Sequence, residues 1–301
     1  TDYQNAFDDL KQYQQTSKDW LFGYLSYDLK NDVEVLNSAN FDGLEFPDLY
    51  FFQPKKIFLL KENQLEIHYL NMCDDEVEED FTAISKAQLP LVTPQPPIDI
   101  KQRISKADYF NKVSKILEHI HRGDMYEANF CIEFFAEHTL INPVDKFLIL
   151  NEISKSPQAV FFKNNSHFLL SASPERYLKK DQELIISQPI KGTAKRFQDP
   201  TADEKSKRDL VSDLKERTEN IMISDLVRND LSRCALPGTV KVDELFGVHT
   251  FETVHHLIST ISCEVDASCD WVDLLKASFP MGSMTGAPKL SAMQWIERHE
   301  R

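Results

Sequence analysis

No apolar run in this 301-residue chain approaches the roughly 18 residues of a membrane-spanning helix, so no membrane partner is expected. The polar start, Thr1 to Gln15, has neither the basic flank nor the apolar stretch of a signal peptide, and a soluble, cytoplasmic protein is expected. Cysteine is scarce. Cys73, Cys131, Cys234, Cys263 and Cys269 are odd in number and show no CxxC or Cys/His metal spacing, so they read as reduced thiols. Basic charge is also in deficit: 34 Lys and Arg stand against 48 Asp and Glu, a net charge of -14. That balance argues against a general nucleic-acid binder, although a local basic pocket can still hold an anion. The GxxxxGK[ST] spacing of a phosphate-binding Walker loop is absent, as are internal repeats and low-complexity tracts.

What is present is core material, 42% hydrophobic with 11% aromatic residues, enough for one large domain or two ordinary ones. The clearest seam is Leu89 to Pro97, where four prolines in nine residues exclude helix and central strand. It divides the chain into a β-rich region 1–88, a connection 89–100 and a catalytic region 101–301. The first region holds strand-like Trp20 to Tyr27 and Lys56 to Leu60. The acidic stretch Asp74 to Asp80 reads as a solvated face or loop.

After the seam, Ser105 is placed to cap a helix with Asp108 at its third position. Tyr109, Phe110, Val113, Ile116, Leu117 and Ile120 recur at helical spacing, and Gly123 ends it. Tyr126 to Phe134 then alternates in the period-two pattern of a half-buried strand, with Glu127 and Asn129 on one face. The pattern alone favours solvent on that face over a polar cavity. Further strands are predicted at Ala159 to Lys163, His167 to Ala172 and Glu183 to Ile190, with Ser173 to Arg176 turning between the last two.

Pro189 closes that last strand, which places Lys191 at a strand end beside Gly192. A lone lysine there is most simply a solvated charge; as an amine it is also a candidate nucleophile. Asp203 to Arg233 turns helical, and within it Glu216 and Glu219 stand three apart on one helix face. Such a carboxylate pair can hold Mg²⁺, yet on an exposed helix it is more often ordinary salt-bridge material, and the adjacent Lys215 and Arg217 favour that reading. Met281 to Lys289 forms a glycine-containing loop running into a helix whose first residue is Pro288, with backbone N–H groups suited to a carboxylate or phosphate.

The order of these segments resembles the chorismate-utilising enzyme family. Ser173-Pro174-Glu175, Pro189-Ile190-Lys191-Gly192-Thr193, Lys215 to Glu219, Asp225 to Leu231, Val254-His255-His256 and Gly282 to Lys289 follow the family's sequence over residues 101–301. Gly23 to Asp28 matches it more faintly. The resemblance implies an α+β fold with antiparallel β-sheets packed as a sandwich flanked by helices. Lysine after Pro-Ile is the mark of its amination branch, aminodeoxychorismate synthase component I, whereas anthranilate synthases carry alanine there. Hydrating members of the family carry a lysine at the position of Glu127.

The implied activity is amination of chorismate at C4 with ammonia from a glutamine amidotransferase subunit. Lys191 attacks C2, and Glu175 protonates the departing C4 hydroxyl. Gly192, Thr193, His256, Thr285 and Gly286 match substrate-binding positions, and Glu219 with Glu216 matches the Mg²⁺ ligands. Lys195 and Arg196 are the cations expected to help Lys191 lose its proton. Two departures accompany the match. Glu127 stands where related amination enzymes commonly carry glutamine. The family also continues past the position of Arg301, through a segment with a second metal-binding glutamate, a substrate tyrosine and arginine, and a Gly-Ala-Gly loop, so an incomplete site is expected. An anthranilate-forming enzyme and a non-catalytic chorismate-binding or amidotransferase-docking module are the other readings.

Overall fold

The Ser105 hydroxyl accepts the N–H of Asp108 at the start of a helix that ends at Gly123, whose φ of 85° closes it in the left-handed conformation. The structure, a computed structural model, describes residues 5–88, 90 and 95–300. It divides into two units, residues 1–29 with 46–94 and residues 30–45 with 95–301. The boundary falls within the proline-rich stretch, of which Leu89 and residues 91–94 lie outside the described residues. Residues 30–45 belong to the larger unit because its own groups hold them. The Ala39 N–H donates to Glu297, His167 Nε2 lies 3.0 Å from the Leu44 carbonyl oxygen, and Arg103 stacks on Phe41.

The smaller unit comprises α1 (Ala6–Ser17) and β1 (Phe22–Leu25). After the excursion carrying α2 (Lys30–Val33) it continues through β2 (Leu49–Phe52), β3 (Lys56–Lys61), β4 (Gln64–Tyr69) and α3 (Val77–Lys86). Strands β1 and β2 pair antiparallel, as do β3 and β4, and Phe7, Leu10, Leu29 and Leu49 are buried. The acidic stretch Asp74 to Asp80 is mostly exposed, as expected of a solvated face. It leads into α3, where Asp80 accepts both Lys56 and the Tyr69 hydroxyl at 2.5 Å, and Glu76 accepts Lys56 as well. These contacts hold the Tyr69 hydroxyl up to about 12, with its desolvation first among the causes and the Asp80 carboxylate second.

The larger unit runs β5 (Lys101–Gln102), α4 (Lys106–Arg122), β6 (Glu127–Ala128), β7 (Phe134–Phe135), α5 (Pro143–Ser154), β8 (Gln158–Asn164) and β9 (His167–Ser173). It continues with β10 (Arg176–Asp181), β11 (Leu184–Gln188), β12 (Ile190–Lys195), α6 (Pro200–Ser212), α7 (Leu214–Ser232), β13 (Lys241–Thr250) and β14 (Val254–Glu264). It closes with α8 (Trp271–Ser278), β15 (Gly286–Ala287) and α9 (Lys289–His299). Every strand pair is antiparallel, and the architecture is α+β. The central strand is β14. Strands β11 and β12 lie end to end along one of its edges, β13 lies along the other, and β10 extends the sheet beyond β11.

Helix α7 covers one face of this sheet. Ile223, Val227 and Leu231, at helical spacing, pack with Ile185, Ile261, Cys263, Val265 and Leu274 into the main apolar cluster. The predicted Asp203 to Arg233 helix is in fact two, because Asp213 interrupts it and caps α7 through the N–H groups of Lys215 and Glu216. The predicted Tyr126 to Phe134 strand is broken as well. Only β6 and β7 form, since the backbone between them bonds elsewhere: Asn129 N–H to the Thr285 carbonyl and Cys131 N–H to Glu300. Pro288 is the N-cap of α9, so its first helical residue is Lys289.

Beyond Lys195 the chain is tied to α6 through Asp203. Its carboxylate accepts the Phe197 N–H at 2.8 Å and Arg196 Nε at 2.9 and 3.0 Å, and lies 3.1 Å from His255 Nε2. The Phe197 N–H, with Arg196 and His255, holds the Asp203 carboxyl down to about 2. A depressed carboxyl stabilises the fold above its unfolded value near 3.8, and that contribution is lost as pH falls towards 2. Asp203→Asn is therefore expected to lower the thermal midpoint at neutral pH, with the gap to wild type closing between about pH 4 and pH 2. A gap constant across that range would show that the charge contributes nothing.

Candidate active site

Pro189 interrupts the ladder along β14 without ending the run: its carbonyl accepts the Ser259 N–H, and β12 begins at Ile190. Lys191 is therefore the second residue of a new strand, and the expected strand end is corrected. The register slips by one residue between Ile190 and Thr193, which is a β-bulge. Bulges re-aim side chains, and this one carries Lys191 and Gly192. Gly192 has φ +98°, and a Cβ there would lie 3.1 Å from Leu257 and 3.3 Å from Glu216, so α7 passes against the bulge. Asn220 on α7 clamps it, donating at 3.3 Å to the carbonyls of Lys191 and Leu257, while its own Oδ1 accepts Ser259 at 2.5 Å.

The Lys191 side chain, 17% exposed, meets Glu127 Oε1 at 2.7 Å. Glu127 is 14% exposed, and its second oxygen is buried without a hydrogen-bond partner among the described residues. The face shared by Glu127 and Asn129 thus lines a polar interior, against what the alternating pattern alone favours. Both residues are fixed by the loop before α9. Strand β15 pairs Ala287 with Glu127 and Gly286 with Ala128, and Asn129 Nδ2 donates to the Ser283 carbonyl at 2.5 Å. Lys195 and Arg196 do not serve Lys191: Arg196 is bound to Asp203 and the Phe251 carbonyl, and Lys195 lies over the Phe197 ring.

Glu175, at the turn between β9 and β10, reaches the same place from the other side. Its Oε1 accepts the Ser283 hydroxyl at 2.7 Å and the Ile190 N–H at 3.4 Å. Burial pushes its carboxyl up, opposed by those two donors and by the nearby Lys191 charge. The loop that carries Ser283 is anchored by a buried ion pair, Lys289 to Asp230 at 2.6 Å, with Lys289 also donating to the Ser278 carbonyl. Thr193 and His256 face each other across β12 and β14, with Thr193 Oγ1 2.9 Å from His256 Nδ1; burial pulls that imidazole down.

Lys191, Glu175, Gly192, Thr193 and His256 are gathered around one end of β12. Thr285 is fully buried and gives both its hydroxyl and its N–H to the Gly282 carbonyl, so its visible work is to shape the loop. Gly286 lies against β6, where a Cβ would come within 2.2 Å of the Glu127 carbonyl oxygen. Glu216 and Glu219 share one helix face, and both hold Lys215, at 3.5 and 3.1 Å. Among the described residues no cluster of three or more His, Cys, Asp or Glu forms a metal cage. Two carboxylates already holding a 72% exposed ammonium still fit what Mg²⁺ takes from a protein, since it fills its shell with water and substrate oxygens.

Ser283, Asn220 and Asn129 have site roles that sequence reasoning did not assign. Their signals are slight: a serine between glycine and methionine in the loop, and an asparagine facing inward from an otherwise apolar helix stripe.

This arrangement coincides with a match over residues 2–301 to the family model described as chorismate binding enzyme. The chain belongs to the chorismate binding enzyme family. It is 34% identical over 290 residues to aminodeoxychorismate synthase component 1 of Escherichia coli strain K12, covering 92% of this chain and 61% of that protein. It is 31% identical over 287 residues to anthranilate synthase component 1 of Thermus thermophilus, covering 92% and 62%. In three dimensions it superposes on anthranilate synthase component I from Streptococcus pneumoniae with TM-score 0.81 and 25% identity, over 93% of this chain and 65% of that one. The chain thus spans about three fifths of the length of these chorismate binding enzymes. Among the described residues no helix is long and apolar enough to cross a membrane.

Proposed function

We propose that this protein aminates chorismate at C4 to give 4-amino-4-deoxychorismate, using ammonia released by a glutamine amidotransferase subunit. The observation that carries the reading is Lys191, re-aimed by the β12 bulge into a polar interior that it shares with a carboxyl raised by burial, Glu175. The neutral Lys191 amine bonds to C2, both ring double bonds shift, and the C4–O bond breaks as Glu175 gives its proton to the departing hydroxyl, which leaves as water. Ammonia then bonds to C4 and the C2–N bond breaks, restoring Lys191. A carboxyl lifted by desolvation suits the acid role, and Ser283 holds it at a fixed angle.

Glu216 and Glu219 would hold Mg²⁺, which neutralises the ring carboxylate when bound. Gly192, Thr193 and His256 border the substrate, and the Thr285 to Gly286 turn shapes the loop that carries Ser283. The relatives that bear the name component 1 support the expectation of a partner component.

The test is to supply chorismate, Mg²⁺ and ammonium and identify the product by mass. Aminodeoxychorismate is expected; anthranilate as the sole product overturns the reading. Glu175→Gln is expected to slow turnover about 100-fold or more. Because the acid must carry its proton, wild-type activity falls as pH rises through the Glu175 value, and that alkaline limb should vanish in the variant. An unchanged limb would reassign the acid.

A further inference from the structure

Resting on that reading, we infer that Glu127 is the base that takes the proton from the Lys191 ammonium before attack and returns it when the lysine is released. The geometry singles out this carboxylate. Glu127 Oε1 is 2.7 Å from Lys191 Nζ, at hydrogen-bond distance, in a contact from which solvent is largely removed. The other charged or titratable groups facing the site are engaged elsewhere. Glu175 Oε1 accepts Ser283 and the Ile190 N–H, Glu216 faces the Lys215 ammonium, and His256 Nδ1 faces the Thr193 hydroxyl. Glu127 Oε2, in contrast, is buried with no hydrogen-bond partner among the described residues.

An under-satisfied, desolvated carboxylate is costly as an anion, and an ammonium in the same place is costly as a cation. Moving one proton from Nζ to Oε1 removes both charges at once. The backbone keeps the two atoms in register: β6 is held by β15, and the Lys191 carbonyl by Asn220.

The proton count closes. Glu127 takes one proton from the ammonium, leaving an amine whose lone pair forms the C2–N bond while the proton of Glu175 leaves with the C4 hydroxyl as water. The adduct is a secondary ammonium. When ammonia bonds to C4, the C2–N electron pair returns to Lys191 as a neutral amine, and Glu127 returns its proton to that amine. The new C4 ammonium re-protonates Glu175, and the cycle consumes chorismate and ammonia and yields product and water. Glutamine at position 127 keeps an oxygen opposite the Lys191 amine but cannot take the proton.

The test measures aminodeoxychorismate formation from chorismate, Mg²⁺ and ammonium in the complete protein. Glu127→Gln is expected to lower kcat about 100-fold or more, with KM for chorismate close to wild type. Glu127→Ala should be restored in part by added formate, a small base, and not by formamide, which has the shape without the basicity. A Glu127→Gln kcat within threefold of wild type, or equal rescue by formamide, overturns the inference. Should the alanine variant fail to fold, the glutamine variant decides alone. Wild-type protein that makes no aminodeoxychorismate sinks the amination reading itself, whereas normal wild-type turnover with an unaffected glutamine variant sinks only the role of Glu127.

Discussion

Lys191→Arg is expected to lower chorismate amination by about three orders of magnitude or more while leaving the thermal midpoint close to wild type. Arginine keeps the positive charge opposite Glu127, so the buried carboxylate stays compensated, but a guanidinium does not become a neutral nucleophile at any working pH. Lys191→Ala loses the same chemistry and more. It strands the Glu127 carboxylate in a site where the ion pair is only 14–17% exposed. Removing one partner of a buried pair costs on the order of 3 kcal/mol, so the alanine variant should also melt earlier. The contrast separates the two jobs of the residue, nucleophile and counter-ion. An arginine variant within tenfold of wild type would mean that Lys191 acts only through its charge, and the covalent step would have to be abandoned.

The second large effect belongs to the loop that frames Glu127. Gly286 has φ +149°, and a Cβ built on it would stand 2.2 Å from the Glu127 carbonyl oxygen, 2.8 Å from the Ala292 Cβ and 2.9 Å from the Ala128 Cα. None of these atoms is the end of a flexible side chain that can swing away. Gly286→Ala must therefore open the β6–β15 pair or push α9 aside, with a loss of about 3 kcal/mol or more. Because β15 sets the position of Glu127, the variant should lose turnover even at temperatures where it remains folded. Denaturant melts and kcat measured on one preparation check both halves. A variant as stable and as active as wild type would show that this loop does not fix the site.

Local chemistry made part of this fold legible before any coordinates. The Ser105 cap, the Gly123 stop, the β8–β9 pair and, in the central sheet, β11 follow from side-chain hydrogen bonding and strand patterning, which act over a few residues; β10, β12, β13 and β14 were not read from the sequence. What failed was decided by distant partners. Tyr126 to Phe134 alternates like a strand but is broken in two, because Thr285 and Glu300, more than 150 residues away in sequence, take its backbone N–H groups. The bulge at Lys191 is likewise a property of pairing with β14 and leaves no mark in its own sequence beyond Gly192. Glu127 was visible as an unusual residue, but its contact with Lys191 was not, since β6 and β12 are separate elements joined only by the fold. The acidic run is the mostly solvated face that its sequence suggests, but the contacts of Glu76 and Asp80 were not legible, because Lys56 and Tyr69 lie on other strands.

The central claim is that Lys191 forms a bond to the ring, and the most direct measurement withholds the second nucleophile. The complete protein is incubated with chorismate and Mg²⁺ without ammonia or glutamine, quenched in acid, digested and analysed by mass spectrometry. The account predicts that the peptide carrying Lys191 gains the mass of chorismate less one water, and that added ammonium discharges it as aminodeoxychorismate. Turnover to aminodeoxychorismate with no such adduct at any time, or an adduct on a different lysine, would contradict it.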